Sequence, residues 1–140
     1  MKEIVREKDT CVLATVSQGY PHCSLMAYVS NNECSEIYMV TQKDSRKYRN
    51  LMENPQVSLL IDTREDHHGQ KQTQSMALTV AGKLQQTDNP SKYHSMRESL
   101  LDRHPRLNDF LNQPDAAIIC IRISSFLLLD GLEDAYYEEL

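Results

Sequence analysis

The chain has 140 residues, with 15 Lys and Arg against 20 Asp and Glu for a net charge of −5. That length suits one domain with a real core rather than two, and the acidic balance argues against nucleic acid, whose phosphates need a basic face. No apolar run approaches the roughly 20 residues of a membrane helix, and "MKEIVREKDT" carries charge where a secretory leader is apolar, so a cytoplasmic protein is expected.

Residues 2–8 read as a short helix with Ile4 and Val5 turned inward. From there the period changes to two. "CVLATVS" (11–17) is a strand ending at Gln18-Gly19, and "PHCSLMAYVS" (21–30) puts Cys23, Leu25, Ala27 and Val29 on one face, with Ser24, Met26, Tyr28 and Ser30 on the other. "EIYMVT" (36–41) follows a turn, which makes an antiparallel meander.

Helical spacing returns at 45–53, where Tyr48, Leu51 and Met52 fall at i, i+3 and i+4, capped by Asp44 or Ser45 and ended before Pro55. "QVSLLID" (56–62) is apolar on both faces, as a central strand would be. "REDHHGQKQTQS" (64–75) is a polar surface loop, and "MALTVAGKLQQ" (76–86) alternates with Met76, Leu78, Val80 and Leu84 on one side.

A helix over 89–104 opens with Asn89 as cap and Pro90 at its first position, and Tyr93, Met96, Leu100 and Leu101 form its apolar stripe. A second short helix is expected at 106–112, carrying Leu107, Phe110 and Leu111. "AAIICIRI" and "FLLLD" (116–130) are strands parted by Ser124-Ser125, and the acidic tail, residues 132–140, is expected to be loosely ordered. Antiparallel strands joined by turns, with helices inserted after the third and fifth, favour a single mainly β domain built as a small barrel.

Cys11, Cys23, Cys34 and Cys120 have no metal-type spacing, and most lie in apolar runs, so they read as reduced core thiols. His67-His68 lacks a third spaced ligand and reads as loop. His22 is an ordinary strand-start histidine with some reach toward a ligand, and His94 and His104 are expected to face solvent. Tyr28 and Tyr38 are assigned to the core. No nucleophile elbow, phosphate-binding loop or dinucleotide fingerprint is present.

One cluster stands out. Ser45-Arg46-Lys47 opens a helix directly after a strand ending in Thr41. A helix N-terminus favours an anion through unpaired N–H groups and its dipole, Arg46 adds a bidentate fork, and Lys47 a mobile charge. These are the parts of a phosphate site, set against the plainer reading of a capped helix with two solvated cations.

The order P-H-C-S-L-M-A-Y, I-Y-M-V-T-x-x-x-S-R-K, N-P-x-V-S-L-L-I-D and A-L-T-V-A-G-K-L, over residues 10 to 88, resembles the pyridoxamine 5′-phosphate oxidase-like split-barrel family. The resemblance implies a six-stranded antiparallel split barrel and a homodimer with FMN at the subunit interface. It implies that Thr41, Ser45, Arg46 and Lys47 hold the FMN phosphate and that Cys23, Ser24, Leu25 and Met26 run beside the flavin, mainly through backbone groups. Val40 stands where the family often has an aromatic residue.

Ser24 and Val29 replace the Arg and Lys of the true pyridoxamine phosphate oxidases, the strand at 76–81 lacks their initial Gln, and Trp is absent. A flavin-dependent reductase or oxidase of a small organic substrate is therefore expected rather than a pyridoxine phosphate oxidase, with no protein acid or base assigned. Alternatives are a haem-binding or haem-utilising barrel, similar in "SLLIDTRE", "ALTVAGKL" and "HPRLNDF", a deazaflavin-using reductase, and a non-enzymatic flavin-binding or sensor protein.

Overall fold

The computed structural model describes residues 1–63 and 76–140. Helix α1 (Lys2–Glu7) turns Val5 into the core. Strand β1 (Thr10–Ser17) buries Cys11, Leu13 and Thr15 at alternate positions. Gln18 and Gly19, both with positive φ as a two-residue hairpin turn demands, lead into β2 (Tyr20–Ala27).

The stretch 21–30, expected as one strand, is two. The Tyr28 N–H donates to the Asp9 carbonyl at 2.9 Å, and its buried hydroxyl donates to the Val5 carbonyl at 2.7 Å. These bonds end β2 and pass the chain to β3 (Val29–Ser30), which pairs with β4 (Glu36–Gln42) instead. Helix α2 (Arg46–Glu53), β5 (Gln56–Asp62), β6 (Met76–Leu84) and α3 (Pro90–Arg103) come next. A 3₁₀ turn (Pro105–Leu107), α4 (Asn108–Leu111), β7 (Ala116–Asp130) and β8 (Asp134–Glu139) complete the order.

The strands form one eight-stranded sheet in the order β2-β1-β5-β6-β7-β4-β3, with β8 added against β7. Every pairing is antiparallel. The two edges, β2 and β3, are consecutive in the chain, so the sheet curls until they meet at Tyr28, leaving a seam between β2 and β4. This is a split barrel, with more strands than the six expected. The short β3 and the tail make the difference: residues 132–140 are not loose but supply β8, where Tyr137 and Ala135 pair with Leu127 and Leu129. Gly131 turns the chain with a φ of 71°. Tyr has high strand propensity, and the apolar cross-strand partners outweigh the local acidity.

Most of the core lies inside the curl, around Leu13, Ile37, Met39, Leu59, Ile61, Leu78, Val80, Ile121 and Phe126. A smaller cluster of Tyr38, Met96, Leu100 and Cys120 fixes α3 to the outside of β4 and β7. Cys11, Cys34 and Cys120 are buried free thiols as expected, whereas Cys23 is exposed. Tyr28 and Tyr38 are core residues.

Candidate functional site: a cleft at the seam of the barrel

Helix α2 is set by its polar as well as its apolar contacts. Leu51 is buried against the barrel, and the buried Asn50 amide donates to the Thr15 hydroxyl at 3.1 Å, while Ser17 hydrogen-bonds Glu53 near the helix's far end. The inward face is therefore Asn50 and Leu51, and Met52 of the expected stripe is exposed. Held against β1 in this way, the helix aims its N-terminus at the seam.

Ser45 is the N-cap, accepting from the Tyr48 N–H at 3.3 Å. Its hydroxyl donates to the Gln42 carbonyl at 2.8 Å, and it lies 3.0 Å from the hydroxyl of the buried Thr41. A serine has one proton to give. With that proton on Gln42, Thr41 must be the donor to Ser45, so the pair is a two-step relay from β4 to the helix start. The N–H groups of Arg46 and Lys47 have no intrahelical partner, as in any first helical turn.

A cleft of about 250 Å³ opens here, lined by Leu25, Met26, Ala27, Val40, Thr41, Gln42, Ser45, Lys47, Leu107 and Phe110. Its polar lining is two hydroxyls, an ammonium and the Gln42 carboxamide, and the rest of its lining is apolar. Among the described residues no carboxylate lines it, so Lys47 faces no competing anion from them across the cleft.

Of the residues expected at a flavin site, the structure brings together Leu25, Met26, Val40, Thr41, Ser45 and Lys47. It leaves out Cys23, which is exposed, Ser24, and Arg46, an exposed residue beside the cleft rather than in its wall. Sequence reasoning missed Leu107 and Phe110, because apolar residues spaced along a short helix read as core, and Gln42, whose signal was only its place next to Thr41.

The histidines sit elsewhere. His104 is not solvent-facing: its Nε2 lies 2.8 Å from the Tyr28 carbonyl, beyond the end of α3. His94 is exposed and paired with Glu98, and His22 is half-buried on β2. His67 and His68 lie outside the described residues, and among the described residues no group of His, Cys, Asp or Glu could hold a metal ion.

A second polar cluster lies near the opposite end of β4. Glu36, nearly buried, accepts from Lys92 Nζ at 2.5 Å and from the Tyr38 hydroxyl at 2.9 Å. Burial pushes the Glu36 carboxyl up, but the hydrogen bonds from Lys92 and Tyr38 outweigh it and hold the pKa below the ordinary value. The thiol of Cys120 beside them is pushed up to about 12, chiefly by burial, which makes it an inert thiol. Lys92 also sits 5.5 Å from the centre of the Tyr38 ring. This cluster ties α3 to the sheet and does not reach the cleft.

The family model described as pyridoxamine 5′-phosphate oxidase matches residues 1–129. The chain belongs to the pyridoxamine 5′-phosphate oxidase family. No curated protein matches it by sequence. Solved structures from this fold superpose over nearly the whole chain. A haem-binding protein from Mycobacterium smegmatis aligns with a TM-score of 0.82 at 18% identity, over 99% of this chain and 57% of the other. The haem storage protein HutZ of Vibrio cholerae gives 0.68 at 23% identity, over 96% and 89%. An FAD-binding protein from Mesorhizobium loti gives 0.72 at 16% identity, over 90% and 88%. This pyridoxamine 5′-phosphate oxidase-family chain thus spans little more than half of the Mycobacterium protein. No helix among its described residues is long and apolar enough to cross a membrane.

Proposed function

We propose that the chain is an FMN-binding protein acting as a homodimer, and that it is a flavin-dependent oxidoreductase of a small organic substrate. The observation that carries this reading is the cleft itself, whose wall combines the hydroxyls of Thr41 and Ser45 and the ammonium of Lys47 with the apolar Leu25, Met26, Ala27 and Val40, in a chain of this family. Thr41, Ser45, Lys47 and the free amides of Arg46 and Lys47 suit the phosphate; Leu25, Met26, Ala27 and Val40 suit the ring and ribityl chain. An incoming phosphate oxygen would draw the Thr41 proton away from Ser45, so the relay turns outward without a new group being needed. Bound FMN would supply the hydride and electron chemistry. This chain's residues would anchor, orient and shield it.

A second copy is called for on two grounds. At about 250 Å³ the cleft is smaller than the roughly 300–1,000 Å³ of sites that enclose a ligand of this size, so one protomer supplies part of a wall. Beside it runs an apolar row of cross-strand partners, Leu25, Val12, Leu60, Thr79, Leu127 and Tyr137. Leu25 is 78% exposed and Tyr137 62%, and such a patch on a sheet face marks an interface. Leu25 belongs to both cleft and row, so a partner seated on the row closes the cleft.

Haem is the rival ligand, carried by the names of two structural neighbours. Against it, no histidine, cysteine or tyrosine lines the cleft among the described residues. The deciding experiment is the visible absorption spectrum of the purified protein before and after addition of FMN. Flavin bands that stay with the protein through gel filtration support the proposal; a Soret band transfers it to haem, and a colourless protein that takes up no FMN refutes it.

A further inference from the structure

The cleft has a wall that no strand provides. Leu107 and Phe110 come from the 3₁₀ turn and α4, the segment between α3 and β7. Leu107 packs against the cluster under α3, whereas Phe110 belongs to neither apolar cluster of the described residues. A half-buried phenyl ring that contributes to no core is unusual, since aromatic side chains dominate core energetics.

The segment is also held in place more firmly than its length requires. Arg97 on α3 donates to the Asn112 carboxamide oxygen at 2.6 Å, Gln42 in the cleft wall donates to Gln113 at 3.2 Å, and the Lys43 N–H donates to the Asp115 carbonyl at 2.8 Å. Two of these bonds come from residues that directly follow Thr41. The same stretch of chain that supplies the polar lining of the cleft therefore fixes where Phe110 stands.

We propose that Phe110 is the ring-contacting residue of this site and sets its preference for a ligand with a planar aromatic system attached to a phosphate. The inference rests on the cleft being a flavin site. Val40 offers no π face, and the chain has no tryptophan; among the described residues Phe110 is the one aromatic residue in the wall. Ring and phosphate recognition then come from separate parts, α4 for the one and Thr41 to Lys47 for the other.

The test is a titration of the full chain with FMN and with riboflavin, which lacks the phosphate, followed by flavin fluorescence. Phe110→Ala is expected to weaken both ligands by the same factor of about ten, the scale of removing one aromatic stacking partner. Lys47→Ala is expected to weaken FMN and leave riboflavin unchanged. Phe110→Leu keeps the apolar volume, and should fold like the parent by circular dichroism while showing reduced fluorescence quenching; it decides the matter if Phe110→Ala does not fold. Parent-like binding and quenching in the Phe110 variants, with FMN bound by the parent, overturns the role of Phe110 alone. Failure of the parent to bind FMN overturns the flavin reading and this inference together.

Discussion

Replacing Ser45 and Lys47 one at a time separates the two jobs of the α2 start, because Ser45 holds protein groups and Lys47 holds none among the described residues. Ser45→Ala removes an N-cap, worth about 1 kcal/mol. It also takes from the buried Thr41 hydroxyl its acceptor 3.0 Å away, a further loss of ~1–2 kcal/mol for an unsatisfied buried donor. The ligand-free protein should lose about 2–3 kcal/mol in urea unfolding, or roughly 8 °C in Tm for a chain of this size. Lys47→Ala should leave that stability within about 0.5 kcal/mol, as surface substitutions generally do. Its effect should fall on FMN instead: one charge-assisted hydrogen bond is worth ~1.5–3 kcal/mol, so affinity should drop roughly 10- to 100-fold by fluorescence titration, and the salt dependence of binding should flatten. If Lys47→Ala and Arg46→Ala both bind FMN like the parent, the cleft is not a phosphate site. If Ser45→Ala is as stable as the parent, the relay from Thr41 does not hold the helix start.

Other consequences can be checked by unfolding and by assembly state. A Cβ at Gly82 would lie 2.7 Å from Ile121 Cγ2 and 2.8 Å from the Arg122 carbonyl oxygen. Gly82→Ala should therefore cost ~1–3 kcal/mol in chemical unfolding, since backbone cannot move aside as a side chain can; an unchanged midpoint would contradict the β6–β7 register. Glu36 has a depressed pKa, so its contribution is present above its ordinary value of 4.5 and lost as pH falls through the folded value. Lys92, whose pKa is raised chiefly by the hydrogen bond it donates to Glu36, contributes below its ordinary 10.5 and loses this as pH rises through the folded value. Lys92→Met leaves the carboxylate buried without a cation, and should destabilise the protein by ~2–3 kcal/mol at about pH 8 and by less at about pH 5, compared by urea midpoints. Equal losses at both values would show that the pair is not coupled. Leu60→Asp and Leu127→Lys, in the exposed apolar row, should yield monomers by light scattering and weaken FMN uptake with it; a dimer that survives both changes places its interface elsewhere.

Most of the elements were legible in the sequence because alternation and helical spacing are local. The cap at Asn89 followed from residue type and position, which also narrowed the α2 cap to Asp44 or Ser45, and the meander followed from its turns. What was hidden depended on distant partners. Nothing near residue 28 signals that its N–H will be taken by Asp9 and its hydroxyl by Val5, and that pair of bonds divides one expected strand between two edges of the sheet. The tail read as loose because its charge is visible and its pairing with 125–130 is not. The same limit applied to the site. Thr41, Ser45 and Lys47 stood out because they are close in sequence, and family likeness added Leu25 and Met26. Phe110, about sixty residues further on, looked like any apolar residue of a short helix until the fold set it in the same cleft wall as Thr41 and Lys47.

The length of β7 matters for how the molecule is made. Its 15 residues pair with β4 and β8 along one side and with β6 along the other. Synthesis delivers β7 after every strand but β8, and until then β4 has no strand partner but the two residues of β3 among the described residues, while one side of β6 stays open. The contact between Glu36 and Arg122 must wait across that whole interval. Non-local pairing of this kind makes folding slow, and unpaired apolar edges are the surfaces that self-associate or recruit chaperones in the meantime. Nascent chains stalled before residue 116 should therefore remain protease-sensitive, with protection arriving in one late step as β7 emerges.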